Sequence, residues 1–119
     1  MGASIPQIGS KRRARRTKRF SLRVPVLVYG KDICGEPFHE LTHTMDINAN
    51  GALISLAAFV EERQTILIEN LNTRIGEECR VVNVRSLADG KWIVGVEFTQ
   101  MAGGFWQVYF PRPHADERF

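Results

Sequence analysis

The chain has 119 residues, of which 44% are hydrophobic and 24% are charged, and its formal net charge is +3. This length accommodates one globular domain, because two smaller cores would each bury too little apolar surface. No apolar run approaches the ~18 residues of a membrane-spanning helix, and the N-terminus lacks the pattern of a secretory signal. We therefore expect no membrane span and predict a cytoplasmic protein.

The positive charge is concentrated in one N-terminal segment, residues 11–23. This segment, KRRARRTKRFSLR, holds eight of the sixteen Lys and Arg residues and no acidic residue, so the rest of the chain has eight basic against thirteen acidic residues, a net charge of −5. Six of the eight are arginines, whose planar guanidinium binds phosphate and the guanine O6/N7 edge in a bidentate manner. The segment predicts an anion-binding arm that stays mobile until its charges are neutralised. A merely solubilising segment is the alternative.

Beyond this arm, the chain contains six segments that are typical of β-strands. Each is rich in β-branched or other apolar residues in rough alternation with polar ones, and turn formers separate them at intervals of about 10–15 residues. No convincing amphipathic helix interrupts the series, so the pattern predicts an all-β barrel or sandwich. The predicted strands are residues 22–29, 38–47, 52–56, 64–70, 78–85 and 91–99.

The C-terminal part of the chain carries two further expectations. Gly95 interrupts the clearest strand and marks a bulge or the close approach of another backbone or side chain. Residues 105–110 (FWQVYF) are apolar and precede Pro111, which predicts either a last strand or a short helical turn that caps the barrel. We expect residues 1–10 to be disordered and residues 112–119 to form a loose tail.

Nothing in the sequence points to catalysis or to a bound metal. It contains no nucleophile elbow, glycine-rich phosphate loop or HExxH motif. The spacing of Cys34 and Cys79 relative to His39 and His43 is not that of a zinc site, so we predict reduced, structural cysteines that are buried or half-buried. On a regular extended strand His43 and Asp46 would fall on opposite faces, so we expect no dyad. The sequence therefore predicts a binding protein that is not an enzyme and has neither metal nor cofactor.

Two short motifs and one late strand resemble the PilZ domain, the bacterial receptor module for cyclic di-GMP. The ligand motif of that family is RxxxR before the first strand and (D/N)xSxxG at the turn after the second. Here Arg15 and Arg19 enclose RxxxR directly before Phe20, and residues 46–51 read DINANG. Residues 94–98, VGVEF, are similar to the characteristic late strand of the family. The order of these three elements, and not any one of them, makes the resemblance specific.

The resemblance implies a six-stranded antiparallel PilZ-like β-barrel over residues 22–111, preceded by the ligand-binding arm of residues 11–21. It implies a receptor that binds cyclic di-GMP, orders its arm over the barrel and signals to a downstream protein partner. In such a site Arg15 and Arg19 would clamp the phosphates and guanine edges, with help from Arg12 or Arg16, members of an overlapping RxxxR.

The loop half of the motif implies further roles by the same resemblance. Asp46 would accept hydrogen bonds from guanine N1–H and the exocyclic amine, and Gly51 would let the backbone approach the ligand. Asn48 would take the position of the family's serine, with a larger side chain and a differently placed hydrogen-bonding group. Arg85 would stack on a base.

Two other functions fit parts of the sequence. A ligand-independent PilZ-type adaptor would use residues 105–110 as a docking surface, and burial of Trp106 would argue for the barrel cap instead. Nucleic-acid binding through the arm would show a steep salt dependence and indifference to Asp46. Phe20 is the only aromatic residue within the arm, and this scarcity of stacking groups counts against the nucleic-acid function.

Overall fold

The computed structural model describes residues 19–107 and contains six β-strands, with no helix in this range. Every predicted strand is confirmed, and the observed ends differ from the predicted ones by no more than three residues. The expectations for residues 1–18 and 108–119 lie outside the described residues. The strands are β1 (Pro25–Lys31), β2 (Pro37–Asn48), β3 (Gly51–Leu56), β4 (Thr65–Asn70), β5 (Ile75–Ser86) and β6 (Trp92–Phe98).

The six strands form a closed barrel in the order β1-β2-β3-β6-β5-β4, and every neighbouring pair is antiparallel. Pairing of β1 with β4, from Val26 opposite Asn70 to Tyr29 opposite Leu67, closes the ring. Closure leaves the sheet without free edges. The structure confirms the all-β, six-stranded antiparallel barrel of PilZ-like architecture.

The core follows from the alternation of apolar residues along each strand. On β1, the side chains of Val26 and Val28 point into the barrel and are fully buried, whereas that of Tyr29 points outward and is 38% exposed. Burying each such aliphatic side chain contributes roughly 1.5–3 kcal/mol. The other strands supply further fully buried apolar side chains: Ile47, Ile54, Leu56, Ile66, Ile68, Cys79, Val81 and Val94.

Two β-bulges change which residues face outward. One lies in β2 between Thr44 and Asp46, and the other lies in β5 between Val81 and Asn83. Thr44 and Val81 point inward and are buried, so strict alternation would also bury the residues two positions later. The extra residue in each bulge reverses the alternation and turns both Asp46 and Asn83 to the outer surface.

A turn after β6 covers one end of the barrel with two aromatic side chains. Phe105 and Trp106 are only 2% and 5% exposed, and their rings meet edge to face at 4.7 Å. The Asn70 side chain donates to the Phe105 carbonyl at 2.6 Å, which fixes the turn to β4. Residues 105–107 form neither strand nor helix, and the burial of Trp106 supports the predicted barrel cap.

Candidate functional site

The segment between the arm and β1 pairs with the C-terminal end of β2. Phe20 and Ile47 exchange two backbone hydrogen bonds, each of 2.8 Å, in an isolated antiparallel bridge. Residues 19–21, which belong to the predicted arm, all contact β2, because Arg19 and Ser21 also approach Asp46. This bridge places the last arginine of RxxxR beside the first residue of DINANG.

A buried threonine fastens the next part of the entering segment. The Thr44 hydroxyl donates to the Leu22 carbonyl at 2.5 Å and accepts from the Val24 amide at 2.9 Å. Thr44 is 1% exposed, and its single hydroxyl satisfies both the buried Val24 amide and the partly buried Leu22 carbonyl. The segment before β1 is therefore part of the folded structure and presents Arg19 in a defined position.

Arg19 and Asp46 form an ion pair on the surface. The Arg19 Nη1 atom lies 3.8 Å from Asp46 Oδ2, and the Ser21 hydroxyl donates to Asp46 Oδ1 at 3.0 Å. The side chains are 55% and 26% exposed. An ion pair this accessible contributes at most about 1 kcal/mol, so an anionic ligand can replace it at little cost. The two halves of the predicted motif meet here.

The β2–β3 turn is built around Asn48. Its side-chain Oδ1 accepts from the Asn50 amide at 2.7 Å, and its carbonyl accepts from the Trp106 indole N–H at 3.1 Å. Asn and Ser side chains both stabilise turns of this kind by bonding to the backbone. The Asn48 Nδ2 has no hydrogen-bond partner within residues 19–107.

Gly51 is required by the packing of the barrel itself. A Cβ at this position would lie 1.9 Å from the Val96 carbonyl oxygen and 2.9 Å from the Val96 carbonyl carbon on β6. No side chain fits in that gap without separating β3 from β6. The glycine of DINANG therefore has a structural cause that is independent of any ligand.

A row of outward-facing positions crosses four strands from Asp46. Asp46 is opposite Leu53 on β3, Leu53 is opposite Gly95 on β6, and Gly95 is opposite Asn83 on β5. A Cβ on Gly95 would lie 3.0 Å from both Nδ2 and Oδ1 of Asn83. This contact confirms the close approach of a side chain that was predicted at Gly95.

Arg85 lies in the adjacent row. It is exposed on β5, opposite Ile93, two residues beyond Asn83. Two intervening strands therefore separate it from Asp46 on β2. Arg12, Arg15 and Arg16 lie outside the described residues.

Sequence reasoning missed three residues that shape this surface. Ser21 and Thr44 had no distinguishing pattern, and their contacts join parts of the chain that are 20 or more residues apart. Asn83 was missed because its outward orientation depends on the β5 bulge. The one available signal was Gly95, whose missing side chain makes room for the Asn83 amide.

Within residues 19–107, no group of three or more His, Cys, Asp and Glu side chains is arranged to hold a metal ion. Both cysteines are free thiols; Cys79 is buried as predicted, whereas the prediction is wrong for Cys34, which is exposed. Burial, reinforced by the nearby carboxylates of Glu77 and Glu78, raises the pKa of Cys79 to about 12. The described part of the chain also has no helix long and apolar enough to cross a membrane.

Comparison with known proteins gives a structural relationship. No family model and no curated protein matches the sequence. The fold is similar to that in the structure of the K. pneumonia MrkH–c-di-GMP complex, with a TM-score of 0.55 and 20% sequence identity over 72% of this chain. The match covers 44% of the MrkH chain, so this chain corresponds to less than half of that protein. At this identity the similarity establishes a shared fold, in agreement with the PilZ-like barrel.

Proposed function

We propose that this chain is a non-enzymatic receptor for cyclic di-GMP. The observation that carries the proposal is the ion pair between Arg19 and Asp46, whose charged groups lie 3.8 Å apart on one exposed surface although they come from separate motif halves. The pair offers a guanidinium donor and a carboxylate acceptor side by side. A ligand that combines phosphates with guanine bases matches both groups.

The chemistry of each group fits one part of the nucleotide. The Asp46 carboxylate, held by Ser21 through a 3.0 Å hydrogen bond, is an acceptor for guanine N1–H and the exocyclic amine. The Arg19 guanidinium, with 55% of its side chain exposed, is free to turn from Asp46 to a phosphate. Hydrogen bonds to charged groups contribute about 1.5–3 kcal/mol each, which exceeds the value of the surface ion pair that they replace.

The solved structure of similar fold supports the choice of ligand, because the MrkH chain was determined in complex with c-di-GMP. We propose that this chain binds the same ligand because Arg19 and Asp46 lie side by side on its surface. Arg15, Arg12 and Arg16 precede this site and would add phosphate and base contacts. Ordering of the arm, residues 11–21, over the barrel on nucleotide binding is part of this proposal. The ordered arm would form a surface that a downstream protein reads.

Calorimetric titration of cyclic di-GMP tests the proposal. We expect the wild type to bind in the micromolar range or tighter, and Arg19→Ala and Asp46→Ala each to weaken binding at least tenfold. Arg74→Ala is the matched control, because Arg74 is also an exposed arginine that pairs with a carboxylate, that of Glu69, but it lies in the turn before β5. We expect this variant to bind like the wild type.

The outcomes separate the competing functions. Absence of wild-type binding at tens of micromolar nucleotide would refute the receptor function and favour the ligand-independent adaptor. Equal weakening by Arg74→Ala and Arg19→Ala would indicate a nonspecific charge effect. Tight binding of RNA or DNA that falls steeply with salt and ignores Asp46→Ala would identify the arm as a nucleic-acid contact.

A further inference from the structure

We propose that Asn83 reads the second edge of the guanine base whose Watson–Crick edge meets Asp46. This inference rests on the proposed function and assigns a specificity-determining role to a residue outside both motif halves. Asn83 lies 37 positions after Asp46 in the sequence, and the barrel places both on one outward-facing row with Leu53 and Gly95 between them.

The two bulges give the first reason to connect these residues. The bulge in β2 lies directly before Asp46, and the bulge in β5 lies directly before Asn83. Both irregularities have the same effect, which is to turn a polar side chain out of the core and onto the same surface. Bulges commonly re-aim side chains next to functional sites.

The position of the Asn83 amide gives the second reason. Its Nδ2 and Oδ1 are both 3.0 Å from the place of a Cβ on Gly95, whereas its Cγ is 3.2 Å away. The polar edge of the amide is thus nearest to β6, and the side chain reaches from β5 over Gly95 toward β3. The Asn83 side chain is exposed and has no hydrogen-bond partner within residues 19–107.

The spacing suits one purine. Gly95 and Asp46 lie on strands that are separated by β3 alone, a distance of about 10 Å for two strand spacings. That gap accommodates a purine ring with a hydrogen bond of about 2.9 Å at each edge. Leu53, half-buried in the middle of the row, provides an apolar floor for the base.

The hydrogen-bonding pattern selects guanine. Asp46 offers acceptors, which suit the N1–H and amino donors of guanine. The adjacent Hoogsteen edge of guanine has the O6 and N7 acceptors and needs a donor, which the Asn83 Nδ2 would supply. In an Asn83→Asp variant, a carboxylate oxygen would face the O6 and N7 acceptors of guanine and weaken binding. Because Asp and Asn have nearly the same size, this loss would come from the missing hydrogen-bond donor and not from a change in side-chain volume.

Titration of cyclic di-GMP into Asn83→Ala and Asn83→Asp tests this role. Loss of one hydrogen bond predicts about fivefold to tenfold weaker binding for Asn83→Ala. We expect a larger loss for Asn83→Asp, because its carboxylate repels O6 and N7. The matched control is Asn72→Asp, the same charge change at an exposed asparagine in the β4–β5 turn, and it should bind like the wild type.

Failure of this inference is distinguishable from failure of the receptor function. If the wild type binds and Asp46→Ala does not, but both Asn83 variants bind like the wild type, the inference is overturned and the receptor function stands. A loss in Asn83→Asp that Asn72→Asp reproduces also overturns it. If the wild type does not bind, both proposals are wrong. Equal thermal midpoints of the variants will show that the measured losses come from the site.

Discussion

Substitution of Gly51 by alanine is expected to destabilise the barrel whether or not nucleotide is present. The new Cβ would lie 1.9 Å from the Val96 carbonyl oxygen, which is 1.1 Å inside the 3.0 Å limit that real Cβ contacts respect. The nearest atoms all belong to the backbone of β6, so no side-chain rotation relieves the clash. The two strands must separate by about an ångström at this point.

The magnitude follows from what the separation disrupts. Overpacking in a rigid environment costs about 1–3 kcal/mol and occasionally more, and each weakened β3–β6 hydrogen bond adds about 1 kcal/mol. We therefore expect a loss of about 3–5 kcal/mol in the free energy of unfolding. For a domain of this size that loss lowers the melting temperature by about 12 °C or more.

Gly76→Ala provides the matched control. Gly76 is also a strand glycine, but the nearest atom to its Cβ position is the Ile68 carbonyl oxygen at an ordinary 3.8 Å. Alanine there should change stability by less than about 1 kcal/mol, because it mainly reduces the entropy of the unfolded chain. Urea unfolding monitored by the fluorescence of Trp92 and Trp106 measures both variants. A loss below about 1 kcal/mol for Gly51→Ala, or one equal to that of Gly76→Ala, would refute the packing explanation.

Three other changes test separate parts of the structure. Thr44→Val leaves the buried Val24 amide and the partly buried Leu22 carbonyl without their hydroxyl partner and should cost about 2–3 kcal/mol in urea unfolding, whereas Thr44→Ser should recover most of that loss. The pKa of the Cys79 thiol is about 12 in the folded protein, against 9.0 for an unperturbed thiol such as that of the unfolded chain. The free energy of unfolding should therefore fall as pH rises from 9 toward 12, by up to about 1.4 kcal/mol per pH unit. The Cys79→Ala variant should lack this pH-dependent loss. Parallel pH profiles of the two proteins would contradict the assignment of the loss to Cys79. A thiol reagent should modify the exposed Cys34 in the native state and Cys79 only after unfolding, so two equivalents of rapid native labelling would argue against the buried thiol.

The sequence by itself determined the strands and the motif positions. Alternation of apolar and polar residues depends only on neighbouring positions, and this local rule located all six strands within three residues of their ends. It also marked Gly95 as a point of close approach, which the Asn83 amide occupies. For Gly51 the resemblance implied only a close approach to the ligand, whereas the structure shows a packing cause, the β6 backbone.

Only the tertiary structure decided which polar residues share a surface. Strict alternation from the buried Thr44 and Val81 would have placed Asp46 and Asn83 inside the barrel. The bulges that turn them outward arise from pairing with β3 and β6, and the sequence of one strand does not contain the register of its partner. The same is true of Arg19, whose position beside Asp46 depends on the bridge between Phe20 and Ile47. The basic arm alone indicated an anion, and the closed barrel supplied the carboxylate next to it.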